Sequence, residues 1–202
     1  MGSPRTPSIG AGLLPSLPLH TPRLELRLFR LEDAGALYEL HRNARVTRHA
    51  GGSRTKEESS RSLKRIIART TTTGFGALAV SERGQEAPIG WCGVQSLKND
   101  ERYEILYALR PDKWGQGLAT EAAASLMLAA FELRHLGIKN ICAVAYPQNV
   151  QSLTVIQRLG MTFERNIYDA ETRRYACVYS IERSTFLRHY ARLQLAYPFS
   201  SK

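Results

Sequence analysis

The chain has 202 residues, 43% of them hydrophobic, and a formal net charge of +10, which predicts one domain with one substantial core. No apolar run reaches the length of a membrane span, so we expect a soluble protein and exclude an integral membrane protein. Three cysteines that lie singly, Cys92, Cys142 and Cys177, favour free thiols in a reducing cytoplasm over disulfides or a zinc site, and we expect no metal.

The first 19 residues differ in composition from the rest of the chain. They hold four prolines, scattered serine and glycine, and a single charged residue, Arg5. This composition predicts a flexible tail over residues 1–19. With no clear apolar core and only one arginine, the tail has the pattern of neither a secretory signal nor a transit peptide.

The residues that follow predict a strand and two amphipathic helices. Residues 22–29 alternate apolar and polar side chains, as a half-buried strand does. Apolar residues at helical spacing predict a helix over Glu32–Arg42. Thr55 followed three residues later by Glu58 is a capping box, and it predicts the start of a second helix with an apolar stripe.

The middle of the chain predicts three strands and a long helix. Gly76–Ser81 and Pro88–Gln95 have the pattern of an antiparallel hairpin. Tyr103–Leu109 alternates and is rich in bulky residues, which favours a strand. Ala122–Leu136 is an Ala/Leu run long enough only for a helix.

A shorter strand and helix follow. Ile141–Tyr146 is apolar and predicts a short strand. Asn149 is a typical N-cap and Gly160 a typical residue just past a helix end, so a helix is predicted over Val150–Leu159.

A closing pair of strands over Phe163–Ile167 and Tyr175–Glu182 completes the predicted elements, and Thr185–Tyr197 receives none. The order of these elements predicts an α+β fold. We expect a mixed, mostly antiparallel central sheet flanked by helices on both faces.

Two glycines, Gly115 and Gly117, lie in the turn between the strand Tyr103–Leu109 and the long helix. Backbone N–H groups without intrahelical partners and the positive end of the helix dipole make such a turn suitable for a phosphate or pyrophosphate. The P-loop ending and the three-glycine dinucleotide fingerprint are both missing. Taken alone, the glycine pair favours a turn that binds nothing, because short glycine motifs often match by chance.

The residues around this turn resemble the GNAT superfamily of acyl-CoA-dependent N-acetyltransferases, and within it the RimJ/RimL-like branch. The family's pyrophosphate loop, Gln/Arg-x-x-Gly-x-Gly/Ala, falls on Trp114, Gly117 and Ala119, and Trp114 departs from its first position. The form Trp-Gly-x-Gly-x-Ala-Thr-Glu-Ala is similar to a variant of that branch. Other matching stretches are Thr21–Arg27, Pro147–Ser152 and Leu159–Met161.

The resemblance covers roughly residues 20–185, the size of one domain, and leaves residues 186–202 as a C-terminal extension. It implies acetyl-CoA as the cosubstrate, held by the backbone of one strand, by the turn and by the start of the next helix. The residues implied to bind it are Leu106, Tyr107, Ala108, Leu109, Trp114, Gly115, Gln116, Gly117, Leu118, Ala119, Thr120, Asn149 and Ser152.

Acyl transfer to an amine also needs a base for the amine and an acid for the leaving thiolate. Ser152 matches the residue proposed as the acid in this branch. For the base, Glu104 lies on the strand beside the expected thioester, and Glu171 matches only by its spacing from Ser152. We prefer Glu104 and keep Glu171 as the second candidate.

A basic segment, Arg42–Arg69, holds nine basic and two acidic side chains, a local net charge of +7. It is either a solvated helical face or a field that attracts CoA phosphates, an acidic acceptor or an RNA-bound partner. The resemblance implies N-acetylation of a protein N-terminal amine or a small amine in a ternary complex, by a monomer or homodimer. The alternative is an inactive RNA- or ribosome-binding module, although direct nucleic-acid binding is disfavoured because the segment has no aromatic residue for stacking.

Overall fold

The computed structural model describes residues 17–96, 102–170 and 172–196. Its strands are β1 (Leu19–His20), β2 (Leu24–Arg27), β3 (Gly76–Glu82), β4 (Gly90–Ser96), β5 (Tyr103–Leu109), β6 (Asn140–Ala145), β7 (Thr162–Asp169) and β8 (Arg174–Glu182). Its α-helices are α1 (Ala34–Arg42), α2 (Ala44–Thr47), α3 (Lys56–Thr73), α4 (Leu118–Glu132), α5 (Val150–Arg158) and α6 (Arg183–Ala196). Across these residues, no helix is both long and apolar enough to cross a bilayer.

The strands form one eight-stranded sheet in the order β1-β2-β3-β4-β5-β6-β8-β7. Every neighbouring pair is antiparallel except β5 and β6, which are parallel and are joined through α4. A parallel pair needs such a crossover because its strands run in the same direction. The predicted fold class, a mixed and mostly antiparallel sheet with helices, is confirmed.

The first half of the sheet is covered by α1 and α3, as the sequence predicted. The capping box at the start of α3 is present: Glu58 N–H donates to Thr55 Oγ1 at 3.2 Å, and Thr55 N–H donates to Glu58 Oε2 at 2.8 Å. The helix expected from Glu32 begins instead as a 3-10 turn, Leu31–Asp33, and continues as α1. There the Asp33 carboxylate forms no cap hydrogen bond to α1 and accepts two hydrogen bonds from Arg27.

The long helix α4 forms the centre of the other layer. It begins at Leu118, four residues before the predicted start, with Gly117 as its N-cap residue. Ala123 and Ala124 are fully buried, so small side chains let the helix lie close to the sheet. Its outer side is covered by α6, where Phe186 packs on Phe131 with ring centroids 5.3 Å apart. α6 includes residue 185, the position at which we expected the domain to end.

The sheet opens between β5 and β6. These strands pair only at Tyr103 with Ile141 and at Glu104 with Cys142, and they separate beyond that point. Along residues 105–109, β5 keeps its pairing with β4 but has no strand partner on its other side. The backbone N–H and C=O groups on that side of β5 therefore face the opening. Since buried backbone groups need hydrogen-bond partners, these groups are available to whatever fills the opening.

Candidate active site

A cavity of about 580 Å³ lies beside this opening. Its walls come from α2, the end of β5, the turn before α4, and the first turns of α4 and α5. Its volume is within the range of roughly 300–1,000 Å³ that is usual for sites that bind small molecules and cofactors. Most of the residues predicted to bind the cosubstrate line it: Tyr107, Ala108, Leu109, Trp114, Gly115, Gly117, Leu118, Ala119, Thr120, Asn149 and Ser152.

The turn before α4 has the backbone of an anion-binding loop. Gly115 and Gly117 both have φ of +76°, a left-handed conformation that favours glycine. A Cβ added at Gly115 would meet no atom within 4 Å, so the space beside the turn is open. Thr120 is 1% exposed, and its Oγ1 has no hydrogen-bond partner within the part of the chain that the structure describes. A buried hydroxyl without a partner is costly, and a phosphate oxygen at this helix N-terminus would satisfy it.

The start of the domain holds this turn in place. Glu121, which follows Thr120, is buried, and its Oε1 accepts a hydrogen bond from Thr21 Oγ1 at 2.5 Å. Arg23 donates to Glu121 Oε2 at 2.6 Å and to the Gln116 carbonyl oxygen at 2.9 Å. Arg23 neutralises a carboxylate that would otherwise repel an anion at the turn. Gln116 itself is exposed and does not line the cavity.

Trp114 joins α2 to the turn. Its indole N–H donates to the Leu109 carbonyl oxygen at 2.7 Å, and the Arg45 guanidinium lies 5.0 Å from its ring centroid. Arg48 and His49, which follow α2, also line the cavity. None of these α2 contacts was predicted, because only tertiary structure brings residues 45–49 to the turn. The one available signal was the basic segment itself.

Ser152 and Asn149 lie at the start of α5. Asn149 is the N-cap residue, and its Oδ1 accepts a hydrogen bond from the Ser152 N–H at 3.2 Å. The Tyr107 hydroxyl lies 3.2 Å from Ser152 Oγ and 3.2 Å from the Ser152 carbonyl oxygen. Burial raises the pKa of Tyr107, so its phenol stays protonated at neutral pH. The hydroxyls of Tyr107 and Ser152, one from each side of the opening, therefore lie next to each other in the cavity.

Glu104 lies where β5 and β6 separate. It is 7% exposed, and its carboxylate forms hydrogen bonds with the Gln95 side chain, at 3.2 Å, and with the Val144 backbone. Burial raises the pKa of Glu104 above its ordinary value, and the two hydrogen bonds oppose that rise. Glu104 faces the side of the sheet that α1 and α3 cover, together with Leu106, and neither residue lines the main cavity. Glu171, the second candidate for the base, is outside the described residues.

The basic segment divides into groups with different surroundings. Arg45 and Arg48 line the main cavity, and Arg54 and Arg69 line a second cavity of about 210 Å³ between α1, α3 and the sheet. Arg42 is paired with Glu39 at 2.8 Å on the surface. The remaining basic side chains are exposed on α3 and line neither cavity: Lys56, Arg61, Lys64 and Arg65. Arg45, Arg48 and Arg69 are also exposed, so their position beside a cavity distinguishes them from the rest of the segment.

The known proteins to which this chain is similar include N-acetyltransferases. The family model for the acetyltransferase (GNAT) domain matches residues 23–162. The chain is 27% identical over 176 residues to the uncharacterized N-acetyltransferase p20 of Bacillus licheniformis, covering 86% of this chain and 98% of that protein. It is 30% identical over 156 residues to the uncharacterized N-acetyltransferase YoaA of Bacillus subtilis (strain 168), covering 72% of this chain and 83% of that protein.

One similar solved structure contains coenzyme A. It is that of RimL, a ribosomal L7/L12 α-N-protein acetyltransferase, in complex with coenzyme A, and it matches with a TM-score of 0.69. The match covers 82% of this chain and 97% of that chain at 19% sequence identity. At this identity the likeness shows a shared fold.

Proposed function

We propose a function from one premise: the chain belongs to the GNAT acetyltransferase family. We propose that it is an N-acetyltransferase, which transfers acetyl from acetyl-CoA to a primary amine by direct attack in a ternary complex. The proposed acceptor is a protein N-terminal amine or a small-molecule amine, as in the RimJ/RimL-like branch. The observation that carries the proposal is the unpartnered, buried Thr120 hydroxyl at a glycine turn, in the same cavity as Ser152.

We propose that acetyl-CoA is held by groups from three parts of the chain. The turn from Gly115 to Thr120 would hold the pyrophosphate through backbone N–H groups, and the unpaired edge of β5 would hold the pantetheine arm. Asn149 Oδ1 is engaged with Ser152, so a contact to the arm falls to its side-chain NH₂. When bound, acetyl-CoA supplies a thioester that an amine can attack. The complex of RimL with coenzyme A supports the choice of cosubstrate.

The proposed chemistry also includes two proton transfers. Glu104 accepts a proton from the acceptor amine through water. Its raised pKa makes the carboxylate a stronger base than that of an ordinary glutamate. An α-amine, with a pKa near 8, needs less help than a lysine side chain, with a pKa near 10.4. Ser152 donates the proton to the leaving thiolate, and Tyr107 holds the serine hydroxyl in position.

Glu104→Gln should lower kcat/KM by about 100-fold, the low end of the usual effect of a general base, because an α-amine is partly deprotonated at neutral pH. In the wild type, kcat/KM should rise with pH through the raised pKa of Glu104, since only the carboxylate accepts a proton. The variant should lose that rise. The measurement is a pH profile of kcat/KM with saturating acetyl-CoA.

The control for this variant is Glu39→Gln, which changes the same charge on the exposed side of α1. It should keep the wild-type profile. An unchanged profile in Glu104→Gln would remove Glu104 from the mechanism and leave Glu171 as the remaining candidate base.

The proposed function is tested by binding and turnover together. Isothermal titration with acetyl-CoA, free CoA and a short RNA should detect the first two ligands and not the RNA. Turnover of acetyl-CoA should then be measured with a panel of small amines and N-terminal peptides. Binding of RNA without binding of CoA would instead favour the inactive RNA- or ribosome-binding module, which is less well supported because four arginines of the basic segment face cavities.

A further inference from the structure

The second cavity lies on the side of the sheet that α1 and α3 cover. Its sheet wall consists of residues from three neighbouring strands, β3, β4 and β5, among them Gly93, Gln95 and Leu106. Its helix wall includes Ser62 and Arg69 of α3. At about 210 Å³ it is smaller than a site for a whole cofactor, and its size suits one end of a small molecule or one amino-acid side chain.

This cavity carries positive charge that the protein does not neutralise. Arg54 and Arg69 both line it, and no ion pair with an acidic side chain exists for either arginine in residues 17–96, 102–170 and 172–196. Arg54 donates to the Ser62 hydroxyl at 2.9 Å, which fixes its guanidinium against the cavity. Arginine at a cavity without a carboxylate partner is the arrangement that recognises a planar or tetrahedral oxyanion.

The third basic side chain of the cavity adds no charge. His41 Nδ1 lies 2.9 Å from Ser59 Oγ, and burial, together with the nearby Arg54 guanidinium, lowers the pKa of His41 to about 4. The imidazole is therefore neutral at pH 7. Among the described residues that line the cavity, Arg54 and Arg69 therefore carry the positive charge.

The cavity adjoins the proposed base. Gln95, which lines it, donates to Glu104 Oε2 at 3.2 Å. In the sheet, Gln95 is directly opposite Glu104 and Gly93 is opposite Leu106, so all four residues share one face. An acceptor whose anionic end reached Arg54 and Arg69 would pass over this face on its way to the carboxylate of Glu104.

We infer that the second cavity receives the acceptor, and that Arg54 and Arg69 select an amine that also carries an oxyanion, either a carboxylate or a phosphate. The inference rests on the proposed function, because it assigns the acceptor of the same reaction. It narrows the acceptor from any primary amine to an anionic one. It also gives the two arginines of this cavity a different role from Arg45 and Arg48, which line the cavity proposed for the cosubstrate.

The test compares matched acceptors with saturating acetyl-CoA. The acceptors are ω-amino acids of increasing length, each with its own carboxamide; phosphoethanolamine with ethanolamine; and peptides that differ by Asp or Asn at the second position. The wild type should show a higher kcat/KM for the anionic member of at least one pair, and the pair in which this occurs identifies the oxyanion. Equal values within every pair would overturn the inference.

The variants Arg54→Gln and Arg69→Gln should each lower the ratio of anionic to neutral kcat/KM by roughly 10- to 100-fold, as expected for the loss of one hydrogen bond to a charged group. The matched control is Arg65→Gln, which removes the same charge from a position of α3 that lines neither cavity and should leave the ratio unchanged. The inference would be overturned if Arg65→Gln lowered this ratio as much as the two variants do, because the effect would then come from the overall charge. It would also be overturned if the variants lowered kcat/KM equally for both members of a pair.

Two further measurements on the same samples keep this test separate from the proposed function. Thermal unfolding shows whether each variant is folded, and titration with acetyl-CoA shows whether it binds the cosubstrate. A wild type that neither binds acetyl-CoA nor consumes it with any amine contradicts the proposed function. A wild type that acetylates amines without preference for an oxyanion contradicts only the acceptor assignment.

Discussion

Gly117→Val is expected to abolish detectable binding of acetyl-CoA. Gly117 has φ of +76° and ψ of 0° at the N-terminus of α4, where its lack of a side chain lets an anion approach the backbone. A branched side chain would occupy that approach and disfavour the conformation. Because each hydrogen bond to a charged group contributes roughly 1.5–3 kcal/mol, losing two or more should weaken binding by at least about 100-fold. Isothermal titration measures the effect.

Strain alone has to be separated from the loss of a binding site. Valine at a left-handed position costs roughly 1–3 kcal/mol of folding free energy wherever it occurs. Gly84, after the end of β3, is the matched control, because its φ is +77° and an added Cβ would meet no atom within 4 Å. Gly84→Val should lose similar stability and keep its affinity for acetyl-CoA. Wild-type affinity in a folded Gly117→Val, or equal loss in Gly84→Val, would contradict the assignment of the turn.

Ser152→Ala should lower kcat by about 10²–10⁴-fold and change the affinity for acetyl-CoA much less. The reason is that the serine hydroxyl is proposed to act as negative charge develops on the leaving sulfur, so its contribution is made in the transition state. The measurement is kcat with a substrate for which the chemical step limits the rate, alongside titration with acetyl-CoA.

The contact between Ser152 and Tyr107 makes a second variant necessary. If Ser152 is the acid, Tyr107→Phe should reduce kcat less than Ser152→Ala, because the phenol only positions the serine hydroxyl. The reverse order would transfer the acid role to Tyr107. Thr154→Val is the matched control: this hydroxyl lies on the same helix and lines the same cavity, but it donates to the Val150 carbonyl oxygen at 2.9 Å. It should retain wild-type turnover.

Local signals in the sequence were sufficient for most of the secondary structure. The capping box at Thr55, the N-cap at Asn149 and the glycine after α5 all mark element ends correctly, because each depends on hydrogen bonds within a few residues. The start of α4 was misplaced by four residues, since Gly117 has no side chain that could form a cap and the run of alanines begins later. The segment 185–197 gave no clear local signal; residues 183–196 form α6, in which Phe186 packs on Phe131.

For the candidate site, the sequence by itself determined the turn before α4 and the start of α5. Those features are continuous along the chain, so their spacing is visible in it. Only the tertiary structure decided what lies between them: Thr21 and Arg23 on Glu121, Arg45 over Trp114, Tyr107 at Ser152, and Arg54 with Arg69 at a second cavity. These contacts join residues far apart in sequence. They arise because β5 and β6 separate after two paired residues and leave an opening into which distant side chains converge.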